Sequence, residues 1–383
     1  MEIVEHLSRI KTSYIREILS KAVDNRDTIS LAGGLPSADA FPMSMIESIL
    51  PSIARESSLF QYAETPGYRP LIDRYKSQFS VSDDHEVIIT NGSQQGLDIC
   101  ARAFIENGDN VVVESPAYLG ALQVFAIAQS HILTVDQESD GPDLNQLENH
   151  FKHTDVKMFY AVPDFHNPTG RCWSMEKRAS VANLCVKYNV LLLEDSPYRE
   201  LRFRGESLPV VSRFCPSHSI LLNSFSKYLA PGIRIAVLET PKKWFPSLCK
   251  IKQAMDLHTN IPMQYLVEQA IQHPNIGAHL EQIKTNYKKK YDAMALEMST
   301  LIQYECSFEA VEGGMFIWLK VPVENTYSLA SECIEEGVCI VPGSEFVIEG
   351  CANPKAIRLN FTLNSIEVMK EGLARLERVL RRF

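Results

Sequence analysis

The 383-residue chain has no apolar run approaching the roughly 18–20 residues that a membrane span needs. It also lacks the unbroken apolar stretch of a secretory signal, because Glu5, Arg9, Lys11, Arg16 and Glu17 interrupt its first twenty residues. Basic charge is in deficit: 38 Lys and Arg stand against 47 Asp and Glu, a formal net charge of −9. That balance argues against a nucleic-acid partner, which would call for a basic face. Clustered cysteine is missing too. The nine cysteines are odd in number, form no C-x-x-C pair and sit mostly in apolar stretches, so neither a metal framework nor a disulfide framework is expected. Buried or free thiols in a reducing cytoplasm fit that pattern. No internal repeat, low-complexity tract or long flexible linker interrupts the chain.

What is present is the composition of an ordinary globular protein, 45% hydrophobic and 22% charged. The length exceeds the roughly 250–300 residues at which single cores stop growing, so two domains are expected. Short apolar runs at 86–90, 110–114, 156–161, 190–194, 219–223 and 233–239 read as strands. Helix-length amphipathic stretches at about 95–105 and 175–188 interleave with them. This alternation predicts an α/β fold with a mostly parallel sheet between helices. Helical stretches dominate from 241 to about 299, and a mixed α+β segment follows. The expected division is an N-terminal arm (1–42) belonging to a small domain, a large domain (43–285), and the rest of the small domain (286–383), with the change falling inside a long helix.

The polar residues collect just after the strands, where open α/β sheets bind ligands. The run Thr-Asn-Gly-Ser-Gln-Gln-Gly at 90–96 leads into a helix, and glycines with exposed N–H groups there suit a phosphate. Pro-Asp-Phe-His-Asn-Pro-Thr-Gly follows the third strand at 163–170, and Glu-Asp-Ser-Pro-Tyr ends the next at 194–198. Then comes Asn-Ser-Phe-Ser-Lys-Tyr-Leu-Ala-Pro-Gly-Ile-Arg at 223–234. A lysine set among small hydroxyl and apolar residues can be desolvated, which lowers its pKa and makes it an amine nucleophile towards carbonyls.

In these motifs the chain resembles the fold-type I pyridoxal-phosphate enzymes, specifically the class I/II aminotransferases. Asn-Pro-Thr-Gly, Asp-x-x-Tyr and Ser-x-Ser-Lys-x-x-x-Pro-Gly-x-Arg occur in the family's order and at its spacing, and the match runs through nearly the whole chain. The segments Ile-Ser-Leu-Ala-Gly-Gly-Leu-Pro (29–36) and Ser-Tyr-Ile-Arg-Glu-Ile-Leu (13–19) look most like the 2-aminoadipate and kynurenine aminotransferase branch. The resemblance implies the aspartate aminotransferase-like fold, a mostly parallel seven-stranded sheet between helices plus a smaller α+β domain, with pyridoxal 5′-phosphate as cofactor. The same fold serves as the effector domain of GntR-type regulators, but no helix-turn-helix domain precedes it here, leaving that role unsupported.

The resemblance also implies roles. Lys227 would carry the cofactor as an aldimine and then move the substrate α-proton. Asp195 would sit against the pyridine nitrogen, while Asn167 and Tyr198 would bond the phenolate oxygen and Tyr118 would stack on the ring. Ser93, Gln94, Ser224, Ser226 and Arg234 would hold the phosphate. Tyr62 would reach the phosphate of a neighbouring subunit, making a homodimer obligatory. Arg358 would grip the substrate α-carboxylate, and Gly34, after Gly33, would let backbone approach the substrate. Arg16 would either meet a distal substrate carboxylate or face solvent as an ordinary helix arginine. His166 departs from the residues expected before Asn-Pro-Thr-Gly and is read as a turn residue.

The expected activity is transfer of an amino group from an L-amino acid to a 2-oxo acid, 2-oxoglutarate being the expected acceptor. Rival readings are a β-lyase, decarboxylase or oxidase on the same scaffold, or a non-catalytic ligand-sensing module.

Overall fold

The computed structural model describes residue 4 and residues 27–383. The expectations for Arg16 and for the segment 13–19 lie outside the described residues. Among the described residues the strands in chain order are β1 (Ile29–Ser30), β2 (His85–Thr90), β3 (Asn110–Ser115), β4 (His131–Glu138), β5 (Gly141–Pro142), β6 (Val156–Ala161), β7 (Leu191–Asp195), β8 (Ser219–Ser224), β9 (Ala236–Pro241), β10 (Ser307–Phe308), β11 (Phe316–Lys320), β12 (Val338–Cys339), β13 (Val341–Pro342) and β14 (Ala356–Asn360).

The main sheet runs β2-β9-β8-β7-β6-β3-β4-β5. Its middle strands pair in parallel, β9 runs antiparallel between β2 and β8, and β5 is an antiparallel return on β4. The sheet therefore has eight strands where seven are expected. The extra one is the two-residue β5, too short for any periodic signal. The strand reading also passes over β4, whose half-exposed residues lack the apolar run of the central strands. By contrast Val-Val-Val at 111–113 and Leu-Leu-Leu at 191–193 are buried, as parallel strands covered on both faces should be.

Helices cover the sheet, and local chemistry sets their ends. Ser174 caps Met175–Tyr188 by accepting from the Lys177 N–H, and Asn189 closes that helix in the left-handed conformation. Asp143 caps Leu144–His153 by accepting from two backbone N–H groups. These two helices and one face of the sheet enclose a core containing Phe151, Phe159, Trp173 and Leu192.

The helix Ile276–Met298 runs unbroken across position 285 and is about 35 Å long at 1.5 Å per residue. Beyond it β10-β11-β14-β13 form an antiparallel sheet, and β1 pairs in parallel with β12, Ile29 opposite Val338. Gly372 lies where a Cβ would come within 3.0 Å of Ile29, so the last helix, Ile366–Leu380, packs closely on this strand. Among the described residues no helix is long and apolar enough to cross a membrane.

The topology places one edge of the main sheet at the carboxyl ends of β2, β3, β6, β7 and β8. Because β9 is antiparallel, its amino end lies at that same edge. Arg234, two residues before β9, is thereby delivered beside residues that follow the parallel strands.

Candidate active site

The cavity at this edge is lined by Ser93, Gln94, Tyr118, Asn167, Asp195, Tyr198, Ser224, Ser226, Lys227 and Arg234, together with Tyr160 and four apolar or proline residues. Ten of the expected site residues thus converge from five loops.

Lys227 sits in the tight turn after β8, and its Nζ donates to the Gly34 carbonyl at 3.2 Å. Burial, with Arg234 and Arg358 nearby, pushes its pKa down to about 8, and Asp195 only partly opposes this. Gly34 therefore meets the site through its carbonyl. A Cβ there would stand 3.2 Å from the Phe316 ring, which accounts for the glycine.

Asp195 ends β7. Its Oδ2 accepts from the Tyr160 hydroxyl at 3.0 Å, while its Oδ1 is buried with no partner among the described residues. Burial raises the carboxyl pKa to about 7 against the lowering effects of Tyr160, Ser93 and Lys227. An unopposed buried carboxylate is costly, and a cation placed against Oδ1 would relieve it. Tyr160, on β6, is a site residue that sequence reasoning missed. Its position inside a buried strand made it look like core, and only the strand order β7-β6 shows the hydroxyl turned to Asp195.

Ser93 begins the helix Ser93–Phe104 behind Gly92, whose φ of +78° a side chain would strain. The Oγ atoms of Ser93 and Ser226 are buried without partners among the described residues. Ser224 Oγ accepts from the Ser226 N–H at 3.2 Å, leaving its hydroxyl proton available. Arg234 adds a guanidinium that donates to the Asn91 carbonyl at 3.2 Å. Gln94 differs from expectation: its side chain donates to the Gly120 carbonyl at 3.0 Å and accepts from the Tyr118 hydroxyl at 3.2 Å. The amide is thus committed to holding Tyr118, and the backbone N–H is what Gln94 offers an anion.

Arg358, in β14, is buried. It donates to Asn167 Oδ1 at 2.8 Å and to the Ala32 carbonyl at 2.6 Å, leaving Nε without a partner among the described residues. Its guanidinium carbon lies 4.3 Å from the centre of the Phe316 ring and 5.1 Å from that of Phe346. Phe316 also meets Tyr198 edge-on at 5.8 Å. Neither aromatic was singled out from sequence, since each reads as ordinary strand or turn core. Asn167 gives its oxygen to Arg358, and its side chain also lies within hydrogen-bonding reach of the Tyr198 hydroxyl.

His166 is buried, and burial lowers its pKa to about 3, so the ring is neutral. It contacts Thr169 Oγ1 at 3.1 Å and lies 3.9 Å from Glu114 behind the cavity. Tyr62 is the expected residue the structure keeps apart. It is 79% exposed, does not line its own chain's cavity and, among the described residues, makes a T-shaped ring contact with His258 at 6.0 Å.

The family model for aminotransferase class I and II matches residues 27–376. The 2-aminoadipate transaminase of Thermus thermophilus is 33% identical over 380 residues, spanning 97% of this chain and 95% of that protein. Aromatic-amino-acid aminotransferase 1 of Thermococcus litoralis is 33% identical over 389 residues, covering 97% and 92% of the two chains. Among solved structures, the kynurenine aminotransferase of Pyrococcus horikoshii, in complex with PMP, superposes with a TM-score of 0.93 at 31% identity. That match covers 99% of this chain and 97% of the other.

Proposed function

Since this chain belongs to the class I and II aminotransferases, which transfer amino groups with pyridoxal 5′-phosphate, we propose that the cavity around Lys227 is where it does so. The desolvated Lys227 amine in the same cavity as the unpartnered Asp195 oxygen is the observation that carries this reading. The donor set fits the cofactor: a buried carboxylate oxygen needing a cation, two unpartnered hydroxyls, an arginine and a low-pKa amine. When bound, pyridoxal 5′-phosphate supplies a carbonyl for the substrate amine and a ring that accepts electrons.

The chain's own residues then divide the work. Asp195 Oδ1 holds a proton at the ring nitrogen, and Tyr160 fixes the carboxylate through Oδ2. Asn167 Nδ2 and the Tyr198 hydroxyl serve the phenolate oxygen, and Tyr118, steadied by Gln94, covers the ring. Ser93, Ser224, Ser226, the Gln94 N–H and Arg234 take the phosphate. Arg358, its guanidinium packed over the Phe316 and Phe346 rings, would pair with the substrate α-carboxylate and so favour loss of the Cα proton over loss of the carboxylate. Lys227 Nζ accepts the α-proton. With a pKa near 8 it is partly neutral at neutral pH, as a general base requires.

The acceptor is 2-oxoglutarate in this reading, and the donors are drawn from dicarboxylic, aromatic and branched-chain amino acids. A donor screen with 2-oxoglutarate tests it. Glutamate should form in step with donor loss, without matching ammonia or CO₂. Stoichiometric release of ammonia or CO₂ in place of glutamate would turn the assignment to a lyase, oxidase or decarboxylase.

The working unit is a homodimer in the cytoplasm. Phe60 and Leu257, 66% and 50% exposed, lie near Tyr62 in sequence or beside its partner His258, forming the kind of apolar surface a second subunit covers. All nine cysteines are thiols, which suits a reducing compartment. Within each subunit, residues 43–285 make the large domain, and the arm joins 286–383 through the β1–β12 pairing. Sharing of Tyr62 is tested by mixing inactive Lys227→Ala subunits with Tyr62→Ala subunits. Each hybrid would contain one intact site, so activity should rise towards about a quarter of wild type for random pairing. No gain on mixing would overturn the shared site.

A further inference from the structure

The helix Phe245–Asp256 lies outside the cavity, yet its last residue is tied to the cavity floor. Asp256 Oδ2 accepts from Asn91 Nδ2 at 2.6 Å and from Gln95 Nε2 at 2.7 Å. Both Asp256 oxygens also take Lys252 Nζ, at 2.5 and 2.7 Å, and Lys252 is completely buried. Gln95 returns its oxygen to the Asn91 N–H at 2.8 Å. The loop between β2 and the next helix is therefore held from both ends of its turn by one carboxylate.

That loop is the one that matters for an anion. The Asn91 carbonyl receives Arg234, Gly92 follows, and Ser93 and Gln94 start the helix. A Cβ on Gly92 would lie 2.2 Å from the Arg234 guanidinium, so the arginine packs directly on this turn with no room to spare. Lys252 offsets the charge of Asp256, which can thus hold the loop without repelling a phosphate.

We propose that Asp256, with Lys252, is a positioning residue for the cofactor phosphate: it fixes Asn91, and through Asn91 both Arg234 and the Ser93–Gln94 N–H groups. The proposal rests on the reading of Ser93, Ser226 and Arg234 as the phosphate cradle. Asp256 touches no cofactor atom in this account. Its effect is confined to the phosphate end.

The test compares binding of pyridoxal 5′-phosphate and of pyridoxal, which lacks the phosphate, to the apo form of the full chain by equilibrium dialysis. Asp256→Ala strands the buried Lys252 cation, so the paired variant Lys252→Met/Asp256→Leu, which removes both charges, is measured alongside it. In both variants the Kd for pyridoxal 5′-phosphate should rise about tenfold or more, the size usual for losing a supporting contact behind a ligand site. The Kd for pyridoxal should stay within about twofold, and kcat at saturating cofactor should be nearly preserved. Equal weakening of both ligands, or of neither, overturns the proposal. If the unaltered protein binds the two equally, the phosphate-cradle reading falls and takes the proposal with it.

Discussion

Lys227→Ala should bring transamination down to background, a loss of more than about 10⁴ in kcat. The magnitude follows from two functions lost at once. The amine that fixes the cofactor disappears, and so does the base that accepts the α-proton. Nothing else described in the cavity substitutes for it. Arg358 is engaged with the Asn167 and Ala32 oxygens, and His166 does not line the cavity, its pKa pushed down to about 3 by burial. The cavity itself should persist, because Lys227 contributes a single hydrogen bond to the Gly34 carbonyl. Pyridoxal 5′-phosphate should therefore still bind, but borohydride should no longer fix it to the chain. Retained turnover, or borohydride fixation at another lysine, would sink the mechanism.

The same residue predicts a pH dependence whose sign can be worked out. Burial and two cationic neighbours lower its pKa from 10.5 to about 8, so the neutral, reactive form gains. At pH 7.5 a group of pKa 8 is about one quarter neutral, against about 0.1% for an ordinary lysine. Covalent attachment of the cofactor to apoprotein should accelerate as pH rises through about 8 and then level off. A midpoint near 10.5 would show that Lys227 is not desolvated in solution.

Asp195→Asn should lower kcat by about 10²–10⁴, the range associated with removing one preorganised electrostatic partner or general acid. The substitution preserves shape and leaves an oxygen to accept from Tyr160, so folding should be little changed. What it removes is the charge. Asp195 Oδ1 is buried, lacks a partner among the described residues and belongs to a carboxyl whose pKa burial lifts to about 7. Such a group is matched to a cation. An amide cannot hold the ring nitrogen protonated, and the ring then accepts electrons poorly. A cofactor analogue with a permanently methylated ring nitrogen carries the missing charge and should recover part of the loss. Full activity in Asp195→Asn with the natural cofactor would remove Asp195 from this role.

These expectations show where sequence reading reached and where it stopped. Lys227, Asp195, Asn167 and Ser93 follow strands or open a helix, and the periodicity of those elements placed them at a common edge. The small hydroxyl residues around Lys227 announced its chemistry within a span of twelve residues. The supporting groups were less visible. Tyr160 and Phe316 sit in buried strands, where an aromatic is the common occupant and its second contact has no local trace. The resemblance offers Gln94 to the phosphate with both backbone and side-chain donors; only its hydrogen bonds to Gly120 and Tyr118 show that the side-chain amide is already engaged.

By itself the sequence determined the family, the α/β order of its elements, the cofactor chemistry and most residues of the cavity. The order of elements depends on short-range patterns of burial, caps and turn glycines; the family, the cofactor and the residue roles rest on the resemblance of the Asn-Pro-Thr-Gly, Asp-x-x-Tyr and Ser-x-Ser-Lys motifs to the class I/II aminotransferases. The tertiary structure alone decided which partner each polar atom takes. Arg358 meets Asn167 across 191 residues and Ala32 across 326, Lys227 meets Gly34 across 193, and Asp256 meets Asn91 across 165. Contacts so distant in the chain arise from strand order and from the antiparallel insertion of β9, which no local periodicity encodes. A buried donor or acceptor must find whatever partner the packed fold brings within reach, and that partner sets its pKa and its task.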